Sequence, residues 1–191
     1  MQDVERIYKY LKHTIDWALT YSTTCTTPKL TTDASYASCP VTRRSRTGLV
    51  VVNEMFGAAF IWKSKRQPSV ALSSAEAEYM AMCAGAQKLL WLLQLLEELQ
   101  IPGLTPPPTT ALGITLQGDN KAALKMAEEG ADSPATQHIS IRYHFLKEQV
   151  EAGVIRVEHV PTEHNVADVM TKPLLRIKHV KHTKKLLGHH Y

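Results

Sequence analysis

Asp33, Glu78, Asp119 and Asp168 are carboxylates in four different local settings. Asp33 lies in an extended-looking run, Leu30-Thr31-Thr32-Asp33-Ala34-Ser35-Tyr36-Ala37. Glu78 stands at the head of a long helical pattern, Leu72-Ser73-Ser74-Ala75-Glu76-Ala77-Glu78-Tyr79. Asp119 ends an apolar alternating run, Ile114-Thr115-Leu116-Gln117-Gly118, and Asp168 follows Thr162-Glu163-His164-Asn165-Val166-Ala167. Four carboxylates gathered from strand ends and helix starts would make a two-metal site, and such a site hydrolyses phosphodiesters. Magnesium prefers hard oxygen ligands, so carboxylates suit it and cysteine would not. Packed together, the four repel one another. Without metal, some should hold protons at raised pKa, and the cluster should weaken the metal-free fold.

Positioning such a cluster needs a folded core, and 191 residues with 44% apolar content are enough for one. The formal charge of +4 is only mildly basic, so composition alone does not specify a polyanionic partner. Its distribution is more informative. Positive charge gathers at Arg43, Arg44 and Arg46, at Lys63, Lys65 and Arg66, and from Arg176 to His190. Each cluster alone reads as a solvated loop or a frayed end; together they suit a polyanion lying across one face. The cysteines Cys25, Cys39 and Cys83 are odd in number and form no C-x-x-C pair, so reduced thiols in an intracellular protein are expected. No apolar run reaches transmembrane length, and no signal-peptide pattern opens the chain.

Periodicity predicts a helix over 2–13, then a Ser/Thr/Cys/Pro linker over 22–28. Strands are expected at about 29–36, 48–54 and 57–64 as an antiparallel meander. Ser73 or Ser74 can cap a helix running to about residue 99, before Ile101-Pro102-Gly103. The run Pro106-Pro107-Pro108 is a rigid loop. A strand at 113–118, helices at 120–129 and 139–152, a strand from Val154 to Val160 and a last helix from near Glu163 complete the chain. Trp62 and Trp91 read as core residues. The order implies an α/β domain with a mixed five-stranded sheet, three antiparallel strands then two parallel ones, with helices on both faces.

This order, with an acid on the first strand, the first long helix, the fourth strand and the last helix, resembles the ribonuclease H fold. Longer motifs narrow the match. Arg43-Arg44-Ser45-Arg46-Thr47-Gly48 resembles a stretch of copia-type retrotransposon polyproteins. So do the run from Ile61 to Tyr79, Gln137-His138-Ile139-Ser140-Ile141-Arg142-Tyr143-His144-Phe145, Val160-Pro161-Thr162-Glu163 and Ala167-Asp168-Val169-Met170-Thr171-Lys172-Pro173-Leu174. The chain resembles the C-terminal RNase H domain of a copia-type LTR-retrotransposon Pol polyprotein. Residues 1–24 then resemble the end of the connection from reverse transcriptase, and 25–191 the RNase H-like domain with a basic tail.

The resemblance implies endonucleolytic hydrolysis of the RNA strand of an RNA–DNA hybrid during reverse transcription. It implies two Mg2+ ions, with Mn2+ as a substitute, and the cognate reverse transcriptase as a partner. Carried over by motif, the metal ligands are Asp33, Glu78, Asp119 and Asp168. Glu76 and Glu78 lie roughly on opposite helix faces, because two residues turn a helix by about 200°. Tyr79-Met80-Ala81 follows Glu78 as the family pattern has it, so Glu78 is chosen, and Glu76 reads as a first-turn acid favoured by the helix dipole. His164 reads equally as the mobile histidine that related enzymes keep near the site and as a plain loop histidine. Ser73, Ser74 and Asn120 flank the acids and can bond phosphate or 2′-OH groups, although the serines can also cap a helix. Arg43, Arg44 and Arg46 are expected on DNA phosphates, and Arg142 on a phosphate or the sheet edge. The cytoplasm, within a retrotransposon particle, is the expected location, with the nucleus as another. An alternative is a catalytically idle RNase H-like module that only binds. Two departures stand out: Ser35 and Tyr36 replace the family's usual acid and tryptophan after Asp33, and Ser38-Cys39-Pro40-Val41-Thr42 replaces an acidic loop.

Overall fold

Alternating apolar residues form three strands, β1 (Pro28–Ser35), β2 (Arg46–Asn53) and β3 (Ala59–Arg66), which pair as an antiparallel meander. The computed structural model describes residues 2–21, 28–53, 57–100, 113–130 and 140–188. The strands β4 (Ile114–Gly118) and β5 (Ile155–His159) extend the sheet in the order β3-β2-β1-β4-β5. Both β1–β4 and β4–β5 are parallel, so the expected mixed five-stranded sheet is present. Six helices accompany it among the described residues: α1 (Gln2–His13), α2 (Ser74–Leu99), α3 (Lys121–Glu129), α4 (Ser140–Glu151), α5 (Asp168–Thr171) and α6 (Arg176–Leu186).

Neighbouring residues of a strand face opposite sides of a sheet. On β2, Leu49 and Val51 therefore enter the larger core with Leu30, Leu116 and the buried face of α2, whereas Val50 packs with Ala59, Val166, Ala167 and Leu186. Helices cover both faces: α2, α3 and α4 on the first, α5 and α6 on the second. Close approach on the first face depends on Gly85, where an added Cβ would stand 2.9 Å from a Leu30 methyl. No helix among the described residues is long and apolar enough to cross a membrane.

Two expectations need correction. The last helix does not run on from Glu163. Residues 162–164 form a turn, α5 is a single short helix, and α6 starts at Arg176. Asn165, buried and donating to Thr32 O, holds the chain before α5 out of a helix, and Pro173 ends α5: a residue before proline is pushed to extended backbone, and Lys172 has φ -144 and ψ 151. The tryptophans are not core residues either. Trp62 is 53% exposed on the edge strand β3, and Trp91 is 52% exposed with the Lys88 ammonium 5.6 Å from its ring centre. Of the expected linker over 22–28, Pro28 opens β1; its residues 22–27, the 24/25 boundary, Cys25, the triple proline and His138 lie outside the described residues. On the N-terminal side of that boundary, Tyr10 meets His179 of α6 edge-on and the Thr20 N–H donates to Leu187 O at 2.8 Å.

Asp33 pairs with Gly48 across the β1–β2 ladder, and directly opposed residues share a face. That is the face α5 covers. A Cβ on Gly48 would stand 2.6 Å from Thr171 Cγ2 and 2.9 Å from Ala167 O. Gly48→Ala is therefore expected to lower unfolding stability by about 1–3 kcal/mol through overpacking. Urea denaturation measures it; a parent-like midpoint would mean that α5 can move outward without cost.

Candidate metal centre

Parallel neighbours end at the same edge of a sheet. Asp33 lies near the end of β1 and Asp119 just past the end of β4, so the β1–β4 pairing brings them together. Asp168 is the first residue of α5, which packs on β1 and β2 from the second face. Asp33, Asp119 and Asp168 each offer a carboxylate oxygen within 4.8 Å of the others. Asp33 and Asp168 are fully buried, and Asp119 is half-buried.

Glu78 approaches from α2. It lies outside that close group but is buried, takes a hydrogen bond from the Ala34 backbone N–H, and feels the charges of Asp33 and Asp119. Glu76 does a different job. Its Oε2 accepts from the Leu72 N–H at 2.7 Å while Ser73 Oγ accepts from the Glu76 N–H at 3.1 Å, a reciprocal cap on α2. The two acids thus divide into a capping residue and one turned toward the cluster.

Other side chains fix the acids. Thr171 Oγ1 donates to Asp33 Oδ2 in a short hydrogen bond, and Thr162 Oγ1 donates to Asp119 Oδ2 at 2.8 Å. Buried Asn165 ties the turn before α5 to β1, donating to Thr32 O at 3.0 Å and accepting from the Ala167 N–H at 3.0 Å. Two lysines enter the cluster. Lys178 Nζ is 2.5 Å from Asp168 Oδ2, and Lys172 Nζ is 2.7 Å from Asp168 Oδ1 and 3.9 Å from Asp33 Oδ1. Lys172 and Lys178 thus meet the two oxygens of buried Asp168, one each. Sequence reasoning singled out none of these five residues for the site. The one available signal was Lys172, four residues after Asp168 and therefore one helical turn away.

The remaining candidates are placed as follows. Ser73 caps α2 and Ser74 is its exposed first residue. Asn120 caps α3, its Oδ1 accepting from the Ala123 N–H at 3.1 Å. His164 is exposed in the turn after β5, two residues from Thr162. Arg43 is exposed with left-handed backbone, and Arg46 reaches Ser64 Oγ at 3.4 Å. Arg142 lies on α4, its side chain outside the described residues.

Burial sets the electrostatics. It raises the Asp33 carboxyl above its usual value, against the Thr171 hydrogen bond and the Lys172 charge. It pushes Glu78 from 4.5 up to about 9, with Asp33 and Asp119 adding to the effect. Burial works against the Lys172 ammonium, but Asp168 and Asp33 outweigh it and hold that pKa above the ordinary lysine value. His182, one turn after Lys178, is lowered to about 4 by burial and by Lys178, so it is neutral at pH 7.

Between pH 4.5 and about 9 the folded state keeps a proton on Glu78 that the unfolded chain has released. Stability from this group is therefore complete below 4.5 and lost as pH rises through about 9. Relative to Glu78→Gln, the metal-free parent should lose stability progressively across this range. Thermal melts of both proteins at matched pH values test it; parallel curves would show that Glu78 is ionised throughout.

No family model matches the chain. The retrovirus-related Pol polyprotein from transposon TNT 1-94 of Nicotiana tabacum is 32% identical over 187 residues, 98% of this chain and 13% of that protein. The corresponding protein from transposon RE2 of Arabidopsis thaliana is 36% identical over 125 residues, 65% of this chain and 8% of that one. The chain thus spans only a small part of the relatives it matches. Among solved structures, the N-terminal RNase H domain of a Mycobacterium tuberculosis protein superposes with a TM-score of 0.50 at 15% identity, covering 82% of this chain and 96% of that one. An RNase H1 isolated from compost superposes with a TM-score of 0.51 at 16% identity, covering 77% and 94%. The chain is a homologue of a segment of retrovirus-related Pol polyproteins of plant copia-type transposons, built on the RNase H-like fold.

Proposed function

We propose that this domain is a ribonuclease H that hydrolyses the RNA strand of RNA–DNA hybrids endonucleolytically. The observation that carries the reading is the convergence of Asp33, Asp119 and Asp168 within 4.8 Å, with Glu78 beside them. The donor set fits divalent ions: it is all hard oxygen, with Asp33, Glu78 and Asp168 buried and Asp119 half-buried. Asp33, Glu78, Asp119 and Asp168 would hold two Mg2+ ions, or Mn2+ in their place. When bound, such ions activate water and stabilise the leaving oxygen of an in-line displacement.

The protein's own part is positioning. Thr171 and Thr162 fix the directions of the Asp33 and Asp119 carboxylates, and Asn165 holds the chain that delivers Asp168. Water reaches the cluster from the Asp119 side, where His164 stands in the same exposed turn as Thr162 and can carry a proton outward. Ser74 is exposed at the start of α2 for contact with the RNA strand. On the first face of the sheet, Arg44, Lys63, Lys65 and Arg66 line one cavity of about 460 Å³, which supports a polyanionic substrate. In this reading residues 1–24 close the connection from a reverse transcriptase, residues 25–191 are the nuclease, and the domain works in a retrotransposon particle.

A second reading, an idle hybrid-binding module, draws on the two lysines that neutralise Asp168 without metal. Cleavage of a labelled hybrid in Mg2+ separates the two. The parent is expected to cut only the RNA strand, and Asp119→Asn to lose at least about a hundred-fold in rate, beyond the roughly 10–100-fold that disturbing a group behind a metal ligand costs. Binding without cutting by the parent would favour the idle module. For the cavity, Lys63→Gln with Lys65→Gln should weaken hybrid binding. It should also flatten the dependence of log K on log salt by roughly one per lost phosphate contact. An unchanged slope would place the hybrid elsewhere.

A further inference from the structure

The carboxylate cluster already contains two cations, and both belong to the chain. Lys178 Nζ stands 2.5 Å from Asp168 Oδ2, and Lys172 Nζ 2.7 Å from Asp168 Oδ1 and 3.9 Å from Asp33 Oδ1. Between them they cover both oxygens of a carboxylate that is otherwise sealed from water. Their chain attachments differ. Lys172 follows α5 directly, where Pro173 has bent the backbone, and Lys178 sits in the first turn of α6 with a second hydrogen bond to Thr162 O at 3.1 Å. Thr162 in turn donates to Asp119. The lysine network thus touches all three converging aspartates, directly or through one residue.

We propose that Lys172 and Lys178 are resident counter-cations that compete with divalent ions for Asp168 and Asp33, so that ion loading must displace their ammonium groups. This rests on the reading of the cluster as a metal centre. The Lys172 ammonium lies at oxygens that Asp33 and Asp168 would offer to an ion, and two positive groups cannot share those oxygens at contact distance. The lysines are the part that can yield. Their side chains are 38% and 30% exposed, so each can swing into solvent and regain hydration, while the carboxylates are held by buried backbone. They are also the part that stabilises the metal-free state, because an unpaired buried carboxylate is costly. The arrangement keeps the site folded without metal and sets ion affinity below that of the bare carboxylates. Once displaced, both ammonium groups remain tethered at the site's rim, where the substrate's phosphates would pass.

The test is calorimetric titration of the full chain with Mn2+ alone, without nucleic acid. The parent is compared with Lys172→Met, Lys178→Met and Asp119→Asn. Each lysine variant is expected to bind Mn2+ roughly ten-fold more tightly than the parent, on the order of one partly exposed ion pair to a buried carboxylate. Asp119→Asn, which removes a donor and no lysine contact, should bind more weakly. Metal-free melts provide a second measurement. The lysine variants should melt below the parent without Mn2+ and gain more from saturating Mn2+ than the parent does. If one variant is too unstable to titrate, the other and the milder Lys172→Gln carry the comparison. A merely structural role for the lysines predicts equal or weaker Mn2+ affinity, and that result overturns the proposal. Parent binding that Asp119→Asn weakens and the lysine variants leave unchanged would overturn the competition alone. Absence of saturable binding in every protein would overturn the metal-centre reading and the competition with it.

Discussion

Negative charge taken out of water is the constraint around which this domain is arranged. Two aspartates are fully buried within 4.8 Å of a third, and a buried glutamate adjoins them. Were two such carboxylates both ionised, their repulsion at an effective dielectric of about 20 would be on the order of 3 kcal/mol. Three local devices offset it. Glu78 keeps its proton, Thr171 donates to Asp33, and Lys172 and Lys178 pair with Asp168. Each brings its own structural demand. Thr171 must lie directly over β1, and the lysines must arrive from the segment that bends at Pro173.

Close approach on the second face follows from those demands. Gly48 is the residue opposite Asp33, and its missing side chain is the space that Thr171 and Met170 fill. Asn165 satisfies two buried backbone groups at the same junction, which allows a non-helical turn to run through the interior beside the acids. A longer helix from Glu163 would have had no use for that side chain. The broken geometry of 162–175, where a helix from near Glu163 was expected, is what delivers Asp168, Thr171 and Lys172 together.

The surfaces on either side of the cluster differ in kind. At its rim stand the exposed turn with Thr162 and His164 and the exposed start of α2. Behind β2 and β3, cations from the loop before β2 and from β3 converge on one cavity. Basic clusters that looked like separate solvated loops in the sequence are joined there by the β2–β3 ladder. Trp62 remains exposed on the edge strand, and Trp91 lies under the Lys88 ammonium, so the large aromatic surface of both stays outside the core.

Much of this was legible in the chain. Period-two runs located the strands, and the Ser73 cap with the apolar periodicity behind it located α2, because these signals depend on neighbours only a few residues apart. Residue type marked Asp33, Asp119 and Asp168 as a possible oxygen-ligand set, and the order of elements placed their strands in one sheet. What the sequence could not hold was distance across the fold. The family pattern favoured Glu78 over Glu76 as the ligand, but it is the turn of α2 against β1 that makes one a cap and directs the other to the cluster. Lys178, read as part of a basic tail, became a partner of Asp168 only when α6 folded back over the site. Local patterns are fixed by short-range sterics and burial, and the sequence determined those. Charge pairing between residues such as Lys172, Lys178, Asp33 and Asp168 depends on ångström separations set by packing the sheet against α5 and α6, and only the tertiary structure decided it.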